Sequence, residues 1–521
     1  MALPDRPAGD PAPGFPLRVG VADVGSNAIR LIAAEFIAPT TYTELVSERL
    51  PVRLGHGVYR TGRLDPDAVE GAVRALSRFR DVLDELGIER YRAVATSAVR
   101  ESEDGRALIR RVRDECGIKL EVVSGVEEIR LVYWAARDRL GIEDEPWILA
   151  DLGGGSLEVA LANGEGLIDA ESHSIGSVRL YEELENASGK MKRFRRLLDE
   201  YLEALRILAF DRPVEVEGFA ATGGNMEDLA ALAGAVTDER GVAIVPLDDL
   251  DDLIAQLSKM SVEERIEELG LRPDRADVVL PAGLVYARLA RMAGVDEIHV
   301  PRVGVKEGVM FDLVQRLSSR AGYGERHARD TRAGAVALGR RFGFEEEHGI
   351  HVARLSERLF DALEPIHELE AEDRELLVAA AVLHDVGQRI SYNRHHKHSE
   401  YLISNSELPG FSPHEVGLVA QIARYHRKAD PSPRHEPFAA LDEEDQDRVT
   451  RLAAILRLAD ALDREHHQRV ERVEVRIEDD EVGLGLVGDG DLALERWALE
   501  RKAGLFEETF DLAVTVDEED E

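Results

Sequence analysis

Two Asp-Gly stretches 128 residues apart are built to hold an anion: Asp23-Val24-Gly25-Ser26-Asn27 and Asp151-Leu152-Gly153-Gly154-Gly155-Ser156. Glycine lets a ligand approach the backbone closely, and successive N–H groups in a tight turn form a nest for phosphate oxygens. Each loop follows an apolar run (Val19 to Ala22; Trp147 to Ala150) and precedes alternating residues (Ile29-Arg30-Leu31-Ile32; Leu157-Glu158-Val159-Ala160), a strand-turn-strand pattern. In register, Asp23 falls on Asp151, Gly25 on Gly153 and Arg30 on Glu158, which predicts a duplicated half-domain with both loops facing one cleft. Taken singly, each loop is equally an ordinary hairpin. A dinucleotide-binding loop is disfavoured, because there the glycines open a helix.

Between the loops, Val123-Ser124-Gly125-Val126-Glu127-Glu128-Ile129-Arg130 reads as a strand end entering a helix. Ser124 is placed to cap that helix with Glu127 as its capping-box acid, which leaves Glu128 on another face, free to point into the cleft. The alternative is two solvated first-turn acids favoured by the helix dipole. A third small-residue loop, Ala221-Thr222-Gly223-Gly224-Asn225, follows. Of the 16 histidines, 12 fall between His348 and His467, on a pattern that is helical almost throughout.

These residues need elements to carry them. Strand pair, helix (66–86), strand (91–96), helix (105–116) and strand (119–123) precede the second loop, and a charged helix is expected over 192–210. Alternation of this kind implies α/β architecture in two similar lobes. Beyond Gly322 the chain turns helical, and its last 50 residues return to alternation (Val470 to Ile477) before an acidic tail, a small β-containing segment. Residues 1–16 carry five prolines and no periodicity, a disordered lead.

Composition narrows the function. At 521 residues the chain is too long for one core. A net charge of −37 excludes a broad basic face for nucleic acid, and a polyanion ligand must be met by aimed arginines, amides and a metal ion. The acidity fits a salt-rich cytoplasm, where self-repulsion is screened; the preference for Arg over Lys is equally the mark of a GC-rich genome. The single Cys116 excludes an internal disulfide, and no apolar run approaches the roughly 18 residues of a membrane span. A cytoplasmic protein without membrane partner is expected.

The loops above, with Ala95-Thr96-Ser97-Ala98-Val99-Arg100, Ser124 to Leu131, Ile175-Gly176-Ser177-Val178-Arg179-Leu180, Thr222-Gly223-Gly224, Pro281-Ala282-Gly283 and Val305-Lys306-Glu307-Gly308-Val309, occur in the order of the exopolyphosphatase/guanosine pentaphosphate phosphohydrolase (Ppx/GppA) family, which the chain resembles from about 19 to about 470. The resemblance implies an actin-like, sugar-kinase-like ATPase fold with ribonuclease H-like lobes at 17–132 and 133–320. It implies a Mg²⁺-dependent hydrolase that removes terminal phosphoryl groups, releasing orthophosphate from inorganic polyphosphate, or acting on pppGpp as the alternative. By position, Glu128 matches the catalytic base and Asp151 and Glu158 the acids that hold Mg²⁺ or order the water. Ser26, Asn27, Arg100, Gly153, Gly154, Gly155, Ser156, Gly223 and Gly224 match the phosphate cradle. Ala28 and Leu157 stand where hydroxyl residues are common, removing two candidate phosphate contacts. A homodimer is implied as well, and K⁺ is a further candidate ion.

Residues 325–468 resemble the HD phosphohydrolase superfamily, with 469–521 as the small terminal segment. That resemblance implies a second divalent site of His348, His384, Asp385 and Asp460, with His398 and His426 as added ligands; imidazole and carboxylate suit Mn, Fe, Zn or Mg. A vestigial helical domain is the alternative. The cluster Arg389, Arg394, Lys397, Arg424, Arg427 and Lys428 is either a guide for a polyanion or a solvated face. A nucleotide-binding regulator without turnover at the glycine loops is the rival from another class.

Overall fold

The two glycine loops sit on the same framework built twice. In the first sheet, β1 (Leu17–Val24), β2 (Ile29–Ala38), β3 (Thr41–Leu50), β4 (Arg90–Ala95) and β5 (Leu120–Val122) lie in the order β3-β2-β1-β4-β5. In the second, β6 (Trp147–Leu152), β7 (Leu157–Asn163), β8 (Gly166–His173), β9 (Gly218–Thr222), β10 (Val236–Thr237), β11 (Ala243–Pro246) and β12 (Glu297–Val300) lie in the order β10-β11-β12-β9-β6-β7-β8. β1 pairs antiparallel with β2 and parallel with β4, and β6 repeats this with β7 and β9. Six residues in a row are buried at the end of β1 and along all of β6, as in strands covered on both faces.

The structure, a computed structural model, describes residues 14–186, 191–203, 215–318 and 320–516. Residues 1–13 of the expected lead, 204–210 of the expected charged helix and the acidic tail from 517 lie outside them; that helix is described over Met191–Glu203.

Three layers of apolar packing order the first unit. Helices Pro66–Glu85 and Gly105–Cys116 cover one face of the first sheet, and Gly224–Leu232 and Val279–Ala293 cover one face of the second. Between the sheets lie the helices Gly125–Leu140 and Val305–Ser318, whose Ile129, Leu131, Val309 and Met310 join Val19 and Ile32 of one sheet to Leu149 and Ala160 of the other. The lobes therefore do not divide at 132/133: the Gly125–Leu140 helix runs through that point, and Val305–Ser318, expected in the second lobe, packs back on β1 and β4. Gly308 makes this possible, since a Cβ there would stand 2.1 Å from Leu131 O.

The chain forms two compact units, parting between Arg326 and His327. In the second, helices Glu346–Ala362, Asp373–Leu383, His395–Ser404, Pro413–Arg424 and Glu443–Ala461 surround one core. The terminal segment is not an appendix with a core of its own. Val470 and Val473 of β13 (Val470–Ile477), Val482 and Leu484 of β14 (Glu481–Gly488), and Leu499 and Phe506 belong to that same core, and β15 (Ala513–Val516) joins β14 in parallel. Among the described residues no helix is long and apolar enough to cross a membrane.

Candidate active site

The duplication holds at the level of single hydrogen bonds. Gly25 N donates to Ala28 O (3.2 Å), and Gly153 N donates to Ser156 O (3.0 Å), so each loop closes on itself in the same way. The cross-strand partners are Asp23 with Arg30 and Asp151 with Glu158. In the first lobe this is an ion pair at 3.1 Å. In the second it opposes two buried carboxylates, a destabilising arrangement unless a cation is supplied.

A narrow cavity of about 80 Å³ lies between the lobes, walled by Asp23, Ser26, Asn27, Ser97, Glu128 and Asp151, among others, and by Gly153, Gly154, Ser156, Gly223 and Gly224. The helix Gly224–Leu232 begins at this wall, so its positive N-terminal end faces the cleft. Tyr286, fully buried, fixes the gap between the second and third loops: its hydroxyl donates to Thr222 O (2.5 Å) and accepts from Leu152 N (3.0 Å). Thr222 Oγ1 in turn donates to Asp151 Oδ1 (2.6 Å).

Ser124 caps the Gly125–Leu140 helix, its Oγ accepting from Glu127 N (3.1 Å). The Glu127 carboxylate is engaged by Arg130 at 2.7 and 2.9 Å; Arg130 also bonds Asp312 (3.0 Å), which pairs with Arg92 (2.9 Å). This buried network anchors the helix that carries Glu128. Burial pushes the Glu128 carboxyl up to about 8, opposed by Arg100 and reinforced by Asp151 and Asp23. Asp23 and Asp151 are likewise raised by burial, and Glu158 is raised well above the usual range by burial and by Glu128.

Of the expected site residues, Arg100, Gly155 and Glu158 lie off the cavity wall, and Asn27 lies on it with its amide already engaged. Arg100 is drawn to Glu128 Oε1 (2.6 Å) and Val123 O (2.7 Å), off the cavity wall, because the buried carboxylate is its nearest countercharge. Asn27 spends its side-chain N–H on Asp274 O (2.7 Å), leaving Oδ1, an acceptor, buried without a hydrogen-bond partner. Gly155 packs under Tyr59, with no room for a Cβ, and does not line the cavity. Glu158 is fully buried behind the wall, where Ser172 Oγ donates to its Oε1 (2.9 Å). Arg275, unmarked by any local pattern, takes the place foreseen for Arg100: it lines the cavity, donates to Asn225 Oδ1 (2.9 Å) and is lowered to about 10 by burial. Arg30 lines it too.

Past Asp23, Arg30, Asp151, Gly223 and Arg275 the cleft continues into a wider cavity of about 340 Å³ that adds the bases Arg49, Arg272, Arg302 and Lys306 and the acids Glu48, Glu227, Asp228 and Glu307; Arg49 pairs with Asp274, and Lys306 with Glu307 (3.0 Å). No aromatic ring lines either cavity among the described residues. The donor set suits a hard cation: Asp151 opposed by Glu158, and the acceptor Asn27 Oδ1 left over, all oxygen.

In the second unit the structure brings together His348, His384, Asp385, His426 and Asp460, and adds His395 in place of the expected His398. His395 and His398 lie almost a turn apart on one helix, and His395 is buried whereas His398 is not. His348 Nε2 and His384 Nε2 are 3.3 Å apart, with Asp460 Oδ1 at 3.8 and 3.7 Å; His395 Nε2 and His426 Nε2 are also 3.3 Å apart, with Asp385 Oδ1 at 2.9 and 3.4 Å. Each Nδ1 meets an oxygen acceptor: Asp463 Oδ2 for His348, and backbone oxygens of Ala381, Ala423 and Tyr392 for His384, His426 and His395. Those contacts place a proton on each Nδ1 and leave the four Nε2 atoms directed inward beside Asp385 and Asp460, where they could ligate a cation. Lys502 pairs with the other oxygen of Asp460. Of the basic cluster, Arg424 is paired with Glu400, and Arg427 lies 3.1 Å from His395 Nε2.

Two sheets of one plan enclosing helices and a loop-lined cleft define a two-lobed actin-like fold. Residues 35–317 match the Ppx/GppA phosphatase family and residues 331–503 match domain III of Ppx/GppA phosphatases. Exopolyphosphatase 2 of Mycobacterium tuberculosis is 34% identical over 317 residues, 57% of this chain and 98% of that one. A guanosine-5'-triphosphate,3'-diphosphate pyrophosphatase of Photobacterium profundum is 25% identical over 83% of this chain and 85% of its own. A crystal structure of an exopolyphosphatase from Cytophaga hutchinsonii superposes with a TM-score of 0.52 at 26% identity, covering 58% of this chain and all of that one. The chain belongs to the Ppx/GppA phosphatase family, whose phosphatases are generally dependent on divalent metals.

Proposed function

We propose that the first unit is an exopolyphosphatase. The observation that supports this is the cleft itself: glycine loops and Glu128 at its narrow end, then a wider cavity whose wall carries Arg49, Arg272, Arg302 and Lys306, interleaved with Glu48, Glu227, Asp228 and Glu307, and no aromatic ring among its described lining residues. Successive phosphates of a chain need cations at intervals, whereas a nucleoside needs a flat apolar contact, so the lining favours polyphosphate over pppGpp. The Mycobacterium tuberculosis relative's name agrees with this reading, and the Photobacterium profundum relative's name supports the nucleotide alternative.

In this reading the terminal phosphoryl group sits on the loops of Ser26 and Gly153 to Ser156, with Arg30 and Arg275 beside it. Glu128, held by Arg100, accepts the proton of a water that attacks the terminal phosphorus. The bridging P–O bond breaks, orthophosphate forms, and the bridging oxygen leaves with the shortened chain. Asp151, with Glu158 behind it and Asn27 Oδ1 nearby, would hold Mg²⁺, which neutralises charge on the phosphoryl oxygens. Phosphate release from long-chain polyphosphate, pppGpp and ATP, compared between wild type and Glu128→Gln, tests the assignment. Full activity of Glu128→Gln on every substrate overturns the base, and a preference for pppGpp overturns the substrate.

The second unit is proposed as an HD-type domain with a divalent centre of its own, on the inward-facing Nε2 groups of His348, His384, His395 and His426. Metal analysis of wild type against His384→Ala/Asp385→Ala tests it; equal metal content in both removes the site.

A further inference from the structure

Behind Ser26 and Ser97, at the narrow end of the cleft, stands one side chain outside every motif above that does not itself line the cavity. Tyr59 follows β3 on a short helical turn, Val58–Thr61, and its hydroxyl lies 2.6 Å from Ser26 Oγ and 3.3 Å from Ser97 Oγ, which are themselves 2.9 Å apart. Ser26 and Ser97 face the narrow cavity, and neither lines the wider one, so Tyr59 stands at the end remote from Arg49, Arg272 and Lys306. It is wedged there. A Cβ on Gly155 would fall 1.8 Å from the Tyr59 hydroxyl, so the phenol lies directly on the second glycine loop. The Arg179 guanidinium sits 4.2 Å from the ring centroid, and is itself held by Gly155 O (3.2 Å) and Glu101 (2.6 Å). Gly57 N, two residues before Tyr59, donates to Glu182 Oε1 (2.9 Å) of the second lobe. Burial pushes the phenol up to about 12, so it remains an O–H across the working pH range.

A cleft open at one end and stopped at the other admits a chain only as far as its terminus. We propose that Tyr59 is the specificity-determining residue that makes cleavage terminal: a polyphosphate enters from the wider cavity, its last phosphoryl group abuts Ser26 and Ser97, which Tyr59 backs, and only the terminal anhydride reaches Glu128. The inference rests on the exopolyphosphatase reading above. Without the ring, the cleft opens between Ser26 and Gly155, and an internal stretch of chain can lie across Glu128.

The test uses long-chain polyphosphate with free ends and the same polymer capped at both ends as phosphoramidates of a bulky amine, followed by chain length on gels. Wild type shortens free chains and leaves capped chains intact. Tyr59→Ala, and Tyr59→Leu as the better-packed replacement, each checked for a native-like melting transition, cut capped chains internally on the order of tenfold faster than wild type or more. Tyr59→Phe keeps the ring and leaves capped chains intact. If both truncations hydrolyse free chains yet spare capped ones, or if wild type already cuts capped chains, Tyr59 is not the stop. If wild type hydrolyses no free chain, the exopolyphosphatase reading fails, and the stop with it.

Discussion

Glu128 is the residue on which the first site turns, and its surroundings define its titration. Burial raises its carboxyl to about 8, and Arg100 opposes that rise through a 2.6 Å contact. A base must be ionised to act, so kcat/KM in limiting metal rises with pH through this ionisation. Arg100→Met removes a group that favours the charged form, so the rising limb moves to higher pH; a limb that stays or moves down assigns it to another group. Glu128→Gln lowers kcat by about 10²–10⁴-fold, with little change in polyphosphate binding measured by equilibrium titration. Tyr286→Phe keeps the packing but leaves Leu152 N without its acceptor, so the half-saturating Mg²⁺ concentration for hydrolysis increases more than KM for polyphosphate does.

At the scale of elements, the layer between the sheets sets where Glu128 points. The Gly125–Leu140 helix is tied to its neighbours by Arg130, 2% exposed, and by its close approach to Val305–Ser318 at Gly308. Arg130→Met removes the guanidinium that engages buried Glu127 through two nitrogens, while Asp312 keeps Arg92 and Arg316, and costs about 3–5 kcal/mol, read by chemical denaturation. Gly308→Ala meets a backbone oxygen that cannot swing aside, forces the two helices apart, and costs about 1–3 kcal/mol in the same assay. Neither residue touches the cleft, so a change in hydrolysis larger than either stability loss would show that the helix layer transmits to Glu128.

For the whole molecule, a net charge of −37 sets the response to salt. Raising KCl from about 0.1 to about 1 M shortens the screening length from about 10 to about 3 Å, so the melting temperature climbs over that interval, whereas hydrolysis falls if the wider cavity binds polyphosphate mainly by charge. Each unit has a core of its own, and in the second His348, His384 and Asp460, and Asp385, His395 and His426, lie close enough to hold a cation. His384→Ala/Asp385→Ala therefore loses bound metal while keeping Mg²⁺-dependent phosphate release by the first unit, as metal analysis and phosphate assays on one preparation will show.

The duplicated loops, the strand-turn-strand pattern around each, the capped helix with Glu128 and the histidine-dense helices were all legible in the chain, because turn chemistry, burial periodicity and capping act over a few residues. The correspondence of Asp23 with Asp151 and of Arg30 with Glu158 followed from the register of the two loops; that Asp23 faces Arg30 and Asp151 faces Glu158 came only with the strand pairing. What folding decided lies in contacts distant along the chain. Arg100 turned from phosphate to Glu128, Asn27 bonded Asp274, Arg275 entered the cleft from 247 residues beyond Ala28, and Tyr59 took its place behind Ser26. On the histidine helix, the choice of His395 over His398 depended on a rotation that sequence spacing leaves open and packing against the core fixes. Local pattern selected the elements and their chemistry; burial and countercharge, which exist only once the sheets and helices have met, selected which side chains share a site.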